Sequence, residues 1–221
     1  MPSVKIPKKS TANDMTPFVD IAFLILSFFI MATKMKPPEP VEITTPNSVS
    51  TKELPANDAI LVEMDGTGRV FFTMLVENDP QSKLSVIRNL NTTRNLGLTE
   101  AEMQNFVKSY SIGVPFSQLK PLLATPADKQ KDIKQPGIPI RDSANNELQV
   151  WVRDAISALS GKKLNYLIKA DNNAKYPDFK NVLDAFKKND IFKFQLVTSP
   201  EDVPRGTDLF KSRATGGTAA N

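Results

Sequence analysis

The sequence predicts a single-pass transmembrane helix plus a small α+β domain. Three observations carry this reading. One apolar run, Pro17 to Thr33, is bounded by Asp14 on one side and by Lys34 and Lys36 on the other. A proline-rich stretch follows it. Beyond that stretch, segments with strand alternation and segments with helical spacing share residues 59–200.

Residues 1–15 read as a short polar tail and residues 16–34 as the membrane helix. Thr16 is placed to act as N-cap, with Pro17 at the first helical position, where its missing N–H costs nothing. A span needs roughly 20 residues, with about 17 as the lower limit, and this run just reaches it. No small-residue cleavage site follows the run, so an uncleaved anchor is expected. Within it stands one carboxylate, Asp20. Burying that charge in hydrocarbon costs at least ~2.5 kcal/mol, and residues of this kind usually carry ions or protons. The alternative is structural: Asp20 lies one turn inside the helix start, where it favours the dipole and approaches the headgroups. Sliding it to the interface would leave too few apolar residues to span.

Residues 35–58 contain five prolines and read as an extended linker. In the domain at 59–200, Ile60-Leu61-Val62-Glu63-Met64 and the stretch from Arg69 to Met74 predict two strands. The turn Asp65-Gly66-Thr67-Gly68 joins them as a hairpin. Leu84, Ile87 and Leu90 predict a helix that Gly97 closes. Thr99 and Glu102 form a capping box ahead of a face made by Met103, Phe106, Val107 and Tyr110. Residues 125–146, polar and rich in proline, read as a surface loop. Leu148, Val152, Ala155, Ile156 and Leu159 form a helical stripe stopped by Gly161. Tyr166-Leu167-Ile168 is a strand, and Phe179, Val182, Leu183 and Phe186 are spaced as a helix face. Phe192, Phe194 and Leu196 alternate with Lys193 and Gln195 as in a half-buried strand. Residues 201–221 read as a disordered tail.

The composition excludes several classes of function. The chain of 221 residues has no Cys and no His, so thiol chemistry and the common hydrolase triads are absent. No nucleophile–base set is visible, so an enzyme is not expected, nor a cofactor. A metal site would have to be built from carboxylates alone, and none is expected. The formal charge of +4 comes largely from Lys5, Lys8, Lys9, Lys34 and Lys36 around the apolar run. No basic stripe with interleaved aromatics is present, so a nucleic-acid partner is not expected. The lysine excess before the helix, with the terminal amine, places the N-terminus in the cytoplasm by the positive-inside rule.

The stretch Asp14-Met15-Thr16-Pro17-Phe18-Val19-Asp20-Ile21-Ala22-Phe23-Leu24 closely resembles the start of ExbD/TolR-family biopolymer-transport proteins. Ile168-Lys169-Ala170-Asp171, followed by Tyr176 and the helix through Phe186, is similar to the family's extracytoplasmic domain. Val41-Glu42-Ile43 to Pro46 resembles a family segment that pairs near that domain. The resemblance implies a bacterial inner-membrane protein with a periplasmic α+β domain and an ExbB-like membrane partner. It implies work on an envelope-spanning protein such as TonB. Because exposing Asp20 to lipid is costly, a homodimer enclosed by helices of the ExbB-like partner is expected. By match, Asp20 takes the proton-carrying role. Thr16 and Ser27 project onto roughly the same helix face, where they are placed to hydrogen-bond a relay water. The chain departs from the pattern at 76–146, which is longer than in typical members and reads as an insertion.

Two hypotheses from different classes follow. One is a proton-driven motor subunit serving a TonB-, Tol- or gliding-type system. The other is a non-conducting anchor that presents a domain binding peptidoglycan or another envelope component. Asp20 discriminates them, because a plain anchor has no need of a buried carboxylate.

Overall fold

The computed structural model describes residues 15–32, 41–50, 54–55, 57–76, 79–141, 146–205, 207–208 and 210–211. The chain divides into two compact units, Met1–Pro37 and Pro38–Asn221.

The first unit holds one helix, α1, Thr16–Ala32. The Met15 carbonyl accepts the amides of Phe18 and Val19 at 3.0 and 3.1 Å, so Met15 caps the helix. Thr16 is therefore the first helical residue and not the expected N-cap. No residue of α1 is buried. Among the described residues no helix is long and apolar enough to cross a membrane. The span expected over 16–34 is seen as 17 residues, about 26 Å at 1.5 Å per residue, against a hydrocarbon core of about 30 Å. Positions 33 and 34 and the tail at 1–14 lie outside the described residues.

The second unit runs β1 (Asn47–Ser48), β2 (Ala59–Met64), β3 (Val70–Leu75), α2 (Pro80–Arg94), α3 (Glu100–Lys108), α4 (Phe116–Ala124), α5 (Ala127–Gln130), α6 (Glu147–Ala158), β4 (Asn165–Ala170), α7 (Tyr176–Lys187), β5 (Gln195–Leu196) and β6 (Ser199–Pro200). The main sheet has the order β3-β2-β4-β5, and β1 pairs with β6 alone. β3 returns antiparallel on β2 through the Asp65 turn, whereas β4 is parallel to β2 and β5 to β4. A parallel neighbour needs a long crossover, and α7 supplies the one between β4 and β5.

β2 is a nearly continuous apolar run because both of its faces are covered, and all six of its residues are buried. Ile60, Val62 and Met64 face the helices, where they meet Val86, Ile87, Leu148, Val152, Val182 and Phe186 in one core. Ala59, Leu61 and Leu167 form a smaller cluster on the other face. Glu63 shares that face, 3.6 Å from Lys169, its partner in the β2–β4 register. Trp151 on α6 stacks between Phe72 of β3 and Phe106 of α3, with centroids 5.3 and 5.6 Å away. That stack ties the helices of the 76–146 stretch to the sheet.

Several expectations change. Residues 125–146 are not a surface loop. They contain α5, and Gln130, Gln135, Ile138 and Ile140 are buried. Two glutamine side chains hold the stretch in place. Ser109 Oγ donates to Gln130 Oε1 at 2.6 Å, and the Gly113 amide donates to Gln135 Oε1 at 2.5 Å. Positions 142–145 lie outside the described residues. The half-buried strand at 192–196 is reduced to Gln195–Leu196, with Phe192 and Leu196 71% and 50% exposed, because β5 sits at the sheet margin. Of the linker expected at 35–58, Asn47–Ser48 is a strand on the domain; residues 35–40, 51–53 and 56 lie outside the described residues. Of the tail at 201–221, Lys211 donates its amide to Thr207 in a local turn, and residues 206, 209 and 212–221 lie outside the described residues.

Candidate functional site

The residues singled out for proton handling all stand on α1. Thr16 opens the helix, Asp20 follows one turn later and Ser27 two turns after that. At 100° per residue the three lie within about 40° of one another around the axis. Thr16 and Asp20 are exposed and Ser27 is partly exposed. The rest of the helix surface is bare and apolar: Phe18, Phe28 and Ile30 are each about two-thirds exposed or more. Asp20 is the one acidic or basic residue among Thr16–Ala32. Chemically, α1 offers a single carboxylate flanked along its face by two hydroxyls. Protonation neutralises the whole helix. Ionisation gives it a charge that desolvation penalises in an apolar setting.

The domain contributes a second set of residues, at the carboxyl end of β4. Within Ile168-Lys169-Ala170-Asp171, Ile168 is buried in the core and Lys169 pairs with Glu63. Asp171 closes the strand. Its amide donates to Met64 O at 2.8 Å, and its carboxylate accepts the amides of Thr44 at 2.9 Å and Asn173 at 2.8 Å. These donors hold the carboxyl below its ordinary value. Residues 44–48 are thereby attached to the domain. Asn172 N donates to Thr44 O at 2.8 Å, Ser199 N to Pro46 O at 3.0 Å and Glu201 N to Ser48 O at 2.9 Å. Tyr176, at the start of α7, is 72% exposed.

Sequence reasoning missed the Thr44–Asp171 link. The only signal for it was the likeness of Val41 to Pro46 to a segment that pairs near the domain. It also missed the anchoring role of Gln130 and Gln135, for which no local pattern exists. Among the described residues, no group of three or more acidic side chains is placed to hold a metal ion.

Comparison with known proteins gives one finding. The family model described as biopolymer transport protein ExbD/TolR matches residues 7–201, from the polar tail through β6. No curated protein and no solved structure matches the chain.

Proposed function

Because the chain belongs to the ExbD/TolR family of biopolymer transport proteins, we propose that it is the proton-carrying subunit of an inner-membrane energy-transducing complex. In this reading it couples proton motive force to TonB-dependent transport across the outer membrane. The role is transport, not catalysis. The helix α1 spans the inner membrane, with residues 1–15 cytoplasmic and residues 35–221 periplasmic. A bilayer accommodates a short span by local thinning. Two copies act together, enclosed by the helices of an ExbB-like partner, and the domain meets a TonB-like envelope-spanning protein.

One observation carries the reading: a lone carboxylate, Asp20, on a 17-residue apolar helix none of whose residues is buried. A charged side chain facing lipid is costly, so the Asp20 face belongs against protein or a wet cavity. Ionised Asp20 resists transfer into an apolar interface and protonated Asp20 tolerates it. Access to the two membrane faces in turn then ties proton passage to two helix positions. Thr16 and Ser27 set hydroxyls on that face on either side of Asp20, about 6 and 10 Å from it along the axis, as separate stations for relay waters. A charge crossing ~100 mV releases about 2.3 kcal/mol, enough to bias a two-state equilibrium roughly fiftyfold.

The test is Asp20→Asn, which keeps shape and removes proton exchange. The variant remains inserted and partner-bound but loses energised uptake of an outer-membrane receptor's ligand, while Asp20→Glu keeps part of it. Wild-type proton flux and uptake in Asp20→Asn would replace the motor with the non-conducting anchor. The proteins that co-purify in mild detergent distinguish a TonB-type client from Tol- and gliding-type ones.

A further inference from the structure

Beyond β3 the 76–146 stretch packs onto the sheet as a fixed wall. Phe72 exchanges two backbone hydrogen bonds with Ile112, at 2.8 and 2.9 Å, and Val70 O accepts the Ile138 amide at 2.8 Å. Where α2 and α3 meet this wall they leave a small recess of about 10 Å³. Phe72 and Met74 of β3, Phe106 of α3, and Tyr110 and Ile112 just after α3 line it, and Lys83 of α2 completes the lining. Lys83 and Tyr110 are partly exposed, so the recess opens at the surface.

Lys83 stands where a cation is disfavoured on two counts. It lies in the first turn of α2, whose dipole favours an anion, and that turn carries no acidic residue. It is half-buried against apolar and aromatic walls that do not solvate a charge. Among the described residues its ammonium has no hydrogen-bond or ion-pair partner. The polar groups nearest in the chain and in the recess are occupied elsewhere. Asp79 accepts the Ser82 amide at 2.9 Å and the Lys162 ammonium at 2.8 Å, and Ser109 Oγ donates to Gln130 Oε1 at 2.6 Å. Burial accordingly pushes the Lys83 amine below the ordinary lysine value.

A carboxylate brought from outside removes both penalties. It neutralises the cation and complements the dipole, and a partly buried pair is screened little by salt. The size of the recess decides where that carboxylate comes from. The space admits one water-sized group, a single carboxylate oxygen. A free acid therefore gains one contact there and gives up its translational freedom for it. A carboxylate carried on a larger surface spreads that loss over many contacts. We propose that Lys83 receives an Asp or Glu side chain of a partner protein, set among apolar residues that close over the aromatic rim at Tyr110. The 76–146 stretch, which makes most of the recess, is then a docking surface. The inference goes beyond the proton-carrying role of Asp20 and does not depend on it, since α1 takes no part in the recess.

The test uses the full chain in mild detergent with isotope-labelled lysines, the Lys83 side-chain resonance being assigned by its loss in Lys83→Arg. The probes are acetyl-Leu-Glu-Leu-amide, acetyl-Leu-Gln-Leu-amide and propionate. The Glu peptide shifts the Lys83 resonance saturably at millimolar concentration. The Gln peptide needs about tenfold more, the difference expected of one charge-assisted hydrogen bond. In Lys83→Met, followed through the Tyr110 resonances, the two peptides act alike. Urea unfolding read from Trp151 gives Lys83→Met a midpoint equal to or above that of the wild type, because an uncompensated buried charge is removed and the unbranched stem is kept. Equal action of the two peptides on the wild type, or no saturable shift with either, overturns the proposal. So does saturation by propionate at the concentration of the Glu peptide, which would make the recess a site for free anions. A lowered midpoint for Lys83→Met overturns it as well, since Lys83 would then have a partner within the fold.

Discussion

Asp171 Oδ2 accepts the backbone amide of Thr44 at 2.9 Å, across most of the length of the domain's sequence. With the Asn172 amide donating to Thr44 O at 2.8 Å, the contact is reciprocal. The stretch leading into the domain is thus held by a residue at the end of β4.

Asp171→Ala is expected to loosen that stretch while leaving the core intact. Hydrogen exchange in peptides covering residues 44–48 should quicken several-fold, with β2 unchanged. The same loss is expected on acidification of the wild-type chain. Donors from Asn173 and Thr44 lower the Asp171 pKa in the folded state. Its contribution is therefore complete above the ordinary value of about 3.9 and is lost as pH falls through the lowered value. Exchange at 44–48, corrected for intrinsic rate, that stays constant through that window would refute the assignment.

Asp79 is expected to contribute to folding through α2. Its Oδ1 accepts the Ser82 amide at 2.9 Å, and its Oδ2 accepts the Lys162 ammonium at 2.8 Å. Asp79→Ala removes an N-cap and should cost about 1 kcal/mol, with the exposed ion pair adding little. Urea unfolding read from the fluorescence of Trp151, the single tryptophan, measures it. The Lys162 contact, with bonds from Ser82, holds the Asp79 carboxyl well below the usual carboxylate range. The gap between wild type and variant is therefore full above about pH 3.9 and narrows as pH falls further. A gap that widens on acidification would contradict this.

Two glycines separate strain from overlap. Gly137 has φ of 96°, and a Cβ there would stand 2.9 Å from Arg69 Cα and 3.0 Å from Val70 N, backbone that has no room to yield. Gly161 has φ of 92° with nothing within 4 Å. Gly161→Ala should cost about 1–2 kcal/mol of left-handed strain. Gly137→Ala should cost a further ~1–3 kcal/mol of overpacking and expose the Ile138 amide to exchange. Equal costs for the two substitutions would mean that the approach of residue 137 to β3 is looser than described.

Local chemistry was legible in the sequence where its partners are near in the chain. Thr99 and Glu102 form the expected capping box, with the Thr99 amide donating to Glu102 at 2.7 Å and the Glu102 amide to Thr99 Oγ1 at 3.3 Å. The Asp65 turn and the stripes of α6 and α7 also follow from short-range pattern. Asp20 stood out because a carboxylate is rare in an apolar run. The path of residues 125–141 was not legible, because side chains such as Gln135 fix it by reaching backbone 22 positions away, and no periodicity records such a bond. β5 was overread for a related reason: alternation marks extended chain but not whether a neighbour covers it. Asp171 belonged to a recognisable motif, yet its partner Thr44 lies in a stretch with no regular pattern.

The segments around Ile112 and Ile138 come from the long 76–146 stretch, and by occupying the β3 margin they alter how many ways a copy can join others. A strand-pairing unit with two open sides adds to itself without end, as fibres do. The longer stretch insulates this side of the sheet, since Ile112 and Ile138 take up the outward backbone groups of Phe72 and the carbonyl of Val70 that an incoming strand would need.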